Sequence, residues 1–120
     1  MQSETNIRIA EQWFAAFNEH HLENLLALYR EDASHYSPKL KLRKPETEGL
    51  IQGKPALRAW WKDAFERLPS LTYEPLHYTA NEARVFMEYK RKVVGEEDLL
   101  VGEVLEISGT LISSSRVYHG

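Results

Sequence analysis

Residues 99–119 read LLVGEVLEISGTLISSSRVYH, two apolar-polar alternating runs on either side of Ser108–Gly109. Alternation of this kind predicts two strands, and the Ser-Gly pair predicts a two-residue hairpin turn between them. With that turn, Ile107 faces Thr110, Leu105 faces Ile112 and Glu103 faces Ser114. Side chains of one parity share a sheet face. One face then carries Val101, Glu103, Leu105 and Ile107 with Ile112, Ser114, Arg116 and Tyr118. The other carries Gly102, Val104 and Glu106 with Ser113, Ser115 and Val117. The first is bulkier and more apolar, so it should be the inner face. It also holds an acid and a base: Glu103 and Arg116 become diagonal neighbours about 7–8 Å apart at the backbone, within reach of long side chains.

Working outward, the same period of two runs back through Arg84–Val94 and Leu71–Thr79, with turn residues at Gly95–Asp98. In Arg84–Val94, parity groups Val85, Met87, Tyr89, Arg91 and Val93 on the more apolar side. Glu88 stays an alternative inward residue, because one bulge would reverse the facing. Before Pro69 the period is helical. Ile7, Ala10, Trp13, Phe14 and Phe17 mark one helix, and Leu22, Leu25, Leu26 and Tyr29 a second. The third carries Leu57, Trp60, Trp61, Ala64, Phe65 and Leu68 after a start at Gly53–Pro55. A short strand, Ala33–Ser37, lies between the second and third helices and stops at Pro38. The predicted order is α-α-β-α-β-β-β-β, an α+β domain with helices on one face of a mostly antiparallel sheet.

The chain has 120 residues and no linker or repeat, so one domain over 1–120 is expected. Fifteen Lys and Arg against 18 Asp and Glu give a net charge of −3, which argues against a protein built to hold nucleic acid. No run approaches the roughly 20 apolar residues of a membrane span. Met1 leads into polar residues, so a secretory signal is not expected. Absence of cysteine excludes disulfides and thiolate chemistry, and a cytoplasmic location is expected. His20, His21, His35, His77 and His119 make no metal-ligand spacing and no glycine-rich phosphate loop exists, so neither metal nor cofactor is expected. The cations of Lys39–Lys44 read as a solvated loop, with a guard at a pocket mouth as the alternative. His20 and His21 stand before the second helix without a strong cap. His119 is expected to be terminal and exposed.

Four fragments in this order are similar to the SnoaL-like branch of the nuclear-transport-factor-2-like superfamily. They are Gln12-Trp13-Phe14-Ala15-Ala16-Phe17-Asn18, then Leu25-Leu26-Ala27-Leu28-Tyr29 with Glu31-Asp32-Ala33, then Gly53-Lys54-Pro55-Ala56-Leu57, and finally Ser115-Arg116-Val117-Tyr118-His119-Gly120. The resemblance implies a curved sheet wrapped around the helices as a cone-shaped barrel with an internal pocket. It also implies a homodimer through the outer sheet face. The superfamily includes isomerases, cyclases, hydrolases and plain binding modules, so the fold leaves activity open. Ketosteroid isomerases share the fold, and three of their functional positions can be compared. Where they place an Asp base before a Pro, this chain has Ser37. The tyrosine oxyanion donor on the first helix corresponds to Trp13, and the second acid to Glu103. One role of three is kept in kind, which argues against that particular chemistry.

The candidate site follows. His35 shares parity with Ser37 and should point inward, with an ordinary pKa suited to proton transfer near neutrality. His35 and Glu103 are the candidate acid–base pair; the structural alternative for His35 is a hydrogen-bonded wall residue. Arg116 would bind a carboxylate, phosphate or polarised carbonyl, unless it and Glu103 simply form a salt bridge that fixes strand register. Tyr118, Tyr89 and Ser37 join the ligand set. The aromatic stripe of the helices is mostly core, with Trp13, Phe17 and Trp60 expected to line a cavity for a flat apolar molecule. The expected function is binding of a small, partly apolar molecule with a polar or anionic group. The alternative is an acid–base isomerase, cyclase or hydratase/hydrolase on a polyketide- or steroid-like substrate.

Overall fold

The computed structural model describes residues 1–119, apart from the side chain of His119, whose expected exposure lies outside what is described. Helix α1 (Gln2–Asn18) and helix α2 (Leu22–Ala27) lead into strand β1 (Tyr29–Tyr36). Helix α3 (Pro38–Arg43), a 3-10 turn (Pro45–Thr47) and strand β2 (Leu50–Gln52) precede helix α4 (Lys54–Arg67). Four strands follow: β3 (Thr72–Ala80), β4 (Arg84–Lys92), β5 (Leu99–Ser108) and β6 (Leu111–His119). With β1 and β2 these form one open, curved six-stranded sheet in the order β2-β1-β6-β5-β4-β3. Among the described residues only β1 and β6 pair in parallel.

The α+β architecture is as expected, with helical stripes buried against the concave face. Trp13, Phe14 and Phe17 of α1 and Trp60 and Trp61 of α4 are all buried there. Two local readings are corrected. Lys39–Lys44 is mostly helix: Ser37 is its N-cap, its Oγ accepting from Lys39 N at 3.2 Å, and Pro38 occupies the first turn where its missing N–H costs nothing. Leu40 is buried, so the segment is anchored rather than a free loop. Helix α2 does have a cap: His21 Nδ1 accepts from Asn24 N at 3.1 Å, doing with a ring nitrogen what an aspartate would do with oxygen.

The main correction concerns the hairpin. The loop is Gly109–Thr110, with Ser108 paired to Leu111 and Ile107 to Ile112. Gly109 adopts φ +67°, as the first residue of such a two-residue loop demands. That displacement by itself preserves parity. A bulge then makes Ser113 an extra residue, so that Glu106 pairs with Ser114 and Glu103 with Val117. Ser113 Oγ donates to the Glu106 carbonyl at 3.2 Å, meeting an acceptor at the break in the ladder. One inserted residue reverses every facing beyond it. Ser115 and Val117 therefore point inward, while Ser114, Arg116 and Tyr118 point outward. Arg116 does not meet Glu103; its partner is Glu106 on the outer face, at 3.1 Å, shared with Arg84 at 3.0 Å. In β4 the expected parity holds: Val85, Met87, Tyr89 and Arg91 are buried, as is Val93 just beyond its end.

Candidate functional site

Between the concave face and helices α1, α3 and α4 lies a cavity of about 280 Å³. Its walls are aromatic. Trp13, Phe17, Trp60 and Tyr89 line it, as expected, and Trp61 and Tyr73 join them. Tyr73 on β3 stacks on Phe17 with centroids 4.0 Å apart and lies 4.2 Å from the ring of Tyr89. Offset contacts of this kind hold the rings as a stiff wall. All three tryptophans of the chain are part of this lining.

Glu103 is 1% exposed and projects from β5 into this apolar space. Tyr89 Oη donates to its Oε1 at 2.6 Å, while Oε2 is buried with no partner. Burial disfavours the charged carboxylate and raises its pKa from 4.5 to about 7, the Tyr89 hydrogen bond pulling partly the other way. With no cation beside it, Glu103 is a far better proton donor than a carboxylate clamped by arginine. The Tyr89 phenol is pushed well up, first by burial and then by Glu103, so it stays a donor. An unmet buried acceptor or donor costs about 1–3 kcal/mol; a ligand atom at Oε2 would relieve it.

His35 stands on the other side of β6. It pairs with Ser115 across β1–β6, and Glu103 pairs with Val117 across β5–β6, so the two flank one strand on the same face. His35 is 3% exposed, and burial lowers its pKa to about 3, leaving a neutral imidazole. Its Nδ1 lies 2.6 Å from Ser115 Oγ and its ring 5.1 Å from that of Trp61. Ser115 Oγ also accepts from Tyr29 Oη at 3.0 Å, and Tyr29 accepts from Trp13 Nε1 at 3.0 Å. Trp13 thus lines the cavity with its ring, but its N–H is committed to the core.

The rim is basic. Lys39 and Arg43 of α3, Arg67 of α4, Arg91 of β4 and Glu96 belong to the cavity lining, Arg43 and Arg67 both pairing with Asp63. Arg91 donates to Glu96 Oε1 at 2.8 Å. Burial, with the Arg91 charge second, holds the Lys39 ammonium below its usual range. Ser37 borders the cavity, although its hydroxyl already accepts at the α3 cap.

The structure thus brings together His35, Glu103, Trp13, Phe17, Ser37, Trp60 and Tyr89 and leaves out Arg116 and Tyr118. Sequence reasoning missed Tyr73, Tyr29 and Ser115, and of the rim cations Arg67 and Arg91; Lys39 and Arg43 stand where the alternative reading of Lys39–Lys44, a guard at the pocket mouth, puts them. Tyr73 was in reach, because alternation from Leu71 puts it on the face of Tyr89. Ser115 was hidden by the bulge. Among the described residues no three His, Asp or Glu side chains are grouped to hold a metal ion. Among the described residues no helix is long and apolar enough to cross a membrane.

A curved sheet closed over by helices, with an aromatic cavity inside, defines a cone-fold class of small proteins. The family model for the SnoaL-like domain matches residues 10–112, and the chain belongs to that family. A SnoaL-like protein of unknown function from Burkholderia thailandensis superposes with a TM-score of 0.88 at 22% identity, covering 98% of this chain and 95% of the other. A candidate ketosteroid isomerase from Kribbella flavida gives 0.81 at 18% identity, over 98% and 79% of the two chains. A candidate polyketide cyclase from Sinorhizobium meliloti gives 0.78 at 18% identity, over 92% and 94%. At such identities the likeness concerns the fold. No curated protein matches the sequence.

Proposed function

We propose that the cavity binds a small, flat, partly apolar molecule, its ring system between the tryptophans and tyrosines and an oxygen function at Glu103. The single observation that carries this reading is the buried Glu103 Oε2 without a partner in an aromatic chamber. A group kept dry and unmet is costly in a finished core, but is what a ligand's polar atom requires. The basic rim favours molecules that also carry an anionic group.

Because every tryptophan of the chain lines the cavity, intrinsic fluorescence reports occupancy. Two probes separate the polar functions: 2-acetylnaphthalene, with a carbonyl, and 2-naphthoate, with a carboxylate. The carbonyl probe should quench most strongly when Glu103 is protonated, with affinity falling as pH rises through about 7. Glu103→Gln, which keeps a neutral side chain, should bind without that pH dependence. Absence of saturable quenching by either probe across this range would defeat the reading.

A second reading, acid–base catalysis at Glu103, is favoured by one observation. A carboxyl with a pKa of about 7 both gives and takes protons at neutrality. That two structural neighbours are candidate isomerase and cyclase proteins supports it further. Turnover of an enolisable carbonyl compound that survives Glu103→Gln would remove Glu103 from the chemistry. The outer sheet face, where Leu100 and Tyr118 are exposed, is the surface proposed for packing against a second copy. Sedimentation would test that assembly.

A further inference from the structure

We infer that His35 serves the cavity as a fixed hydrogen-bond donor through Nε2–H, a tautomer imposed by the buried chain Trp13–Tyr29–Ser115. An indole N–H can only donate, and Trp13 Nε1 donates to Tyr29 Oη at 3.0 Å. The phenol has a single hydrogen, and its acceptor is Ser115 Oγ at 3.0 Å. Burial, with Glu103 adding to it, pushes Tyr29 far above its ordinary range, so that hydrogen is permanently present. Ser115 is fully buried and now holds an accepted bond plus its own hydrogen. The acceptor standing at 2.6 Å is His35 Nδ1.

The reverse arrangement, Nδ1–H donating to Ser115 Oγ, would strand the Ser115 hydroxyl hydrogen in the core. An unmet buried donor disfavours that tautomer by about tenfold or more. Nδ1 therefore accepts, and the ring proton sits on Nε2, the nitrogen left for the cavity that His35 lines. The tautomer follows from the network, each link fixing the next.

Three consequences are chemical. Nε2 already carries its proton and Nδ1 is engaged, so His35 has no site for proton uptake short of a buried imidazolium. It offers one donor, which suits a carbonyl or carboxylate oxygen and rejects an amine or hydroxyl hydrogen. Proton exchange in the cavity is left to Glu103, across β6. His35 thereby moves from the acid–base role expected from sequence to a positioning role. This deepens the proposed ligand reading in what the donor would meet, while the tautomer itself is a property of the empty protein.

The test is a long-range 1H–15N correlation spectrum of protein labelled with 15N-histidine, recorded without ligand at neutral pH. His35 is assigned by the signals lost in His35→Gln, and independently by through-space contacts of its ring with that of Trp61, 5.1 Å away. An Nε2–H pattern supports the inference; an Nδ1–H pattern or an average of the two overturns it. Trp13→Phe removes one N–H three groups away and should raise the Nδ1–H population several-fold. An unchanged tautomer in that folded variant overturns the chain as its cause. Should the variant not fold, the spectrum of the unaltered protein still decides. Nε2–H in a protein that binds neither naphthyl probe supports this inference and sinks the ligand reading; Nδ1–H in a protein that binds them does the reverse.

Discussion

Replacing Glu103 by Gln should change the pH dependence of stability by an amount fixed by one carboxyl. In the folded protein its pKa is about 7 against 4.5 when solvated, which makes proton uptake worth about 3 kcal/mol more in the folded state. The folded protein holds the extra proton between those two values. Stability from this group is thus complete below 4.5 and lost as pH rises through about 7. His35 runs the opposite way: with a folded pKa near 3 against 6.5, it costs stability as pH falls below 6.5, by up to about 5 kcal/mol. The two slopes oppose each other between roughly pH 5 and 6.5, so the parent's own curve is misleadingly flat. The variant isolates Glu103, because His35 is common to both proteins and cancels. Gln keeps an acceptor for Tyr89, and any cost of its amide group does not vary with pH. Urea denaturation from about pH 5 to about pH 8 should therefore show the variant gaining about 2.5 kcal/mol relative to the parent, the remainder having been lost below pH 5. A difference that stays constant across that range would mean Glu103 ionises as a solvated carboxyl, and the dry-chamber account would be wrong.

Three further outcomes are expected. Arg116→Ala should cost no more than about 1 kcal/mol, because its partner Glu106 keeps Arg84 and the pair is partly exposed. Its probe affinities by tryptophan quenching should match the parent's. Arg91→Met should weaken 2-naphthoate about tenfold, the loss of one rim charge, while leaving 2-acetylnaphthalene within about twofold; equal effects on both would place the anionic end elsewhere. Gly49→Ala should destabilise by about 1–3 kcal/mol in thermal or urea unfolding, since φ is +89° and the new Cβ would stand 2.8 Å from Tyr36 Cε2.

Most of the architecture was legible because burial imposes periodicity. The stripe Ala10–Phe17 and the alternation from Val85 to Val93 each have one wet and one dry side, and the residues record it, although the stripe's buried start is Ile9 and not the expected Ile7. Strand β2 escaped notice because three residues with a single half-buried side chain leave no pattern. Helix α3 was concealed by its cations, which hide the single buried Leu40. In the site, parity points Glu103 and Tyr89 inward, and His35 follows from its shared parity with Ser37, a position taken from the family resemblance. Arg116 was misplaced by the same rule, since a bulge is an insertion that alternation cannot register. Ser113-Ser114-Ser115 offers three equivalent residues at that point, so no side chain announces which one is extra. The ion pair that alternation implies between Glu103 and Arg116 is therefore absent, Arg116 pairing with Glu106. Glu103 became a protonatable group because the arginine that would have held it ionised is on the other face.

The direct measurement is a 13C titration of the Glu103 side-chain carboxyl in the ligand-free protein, assigned through Glu103→Gln. A midpoint near 7 is the result this account requires. A midpoint in the ordinary glutamate range, near 4.5, would show that water or a cation reaches the carboxylate and would contradict it.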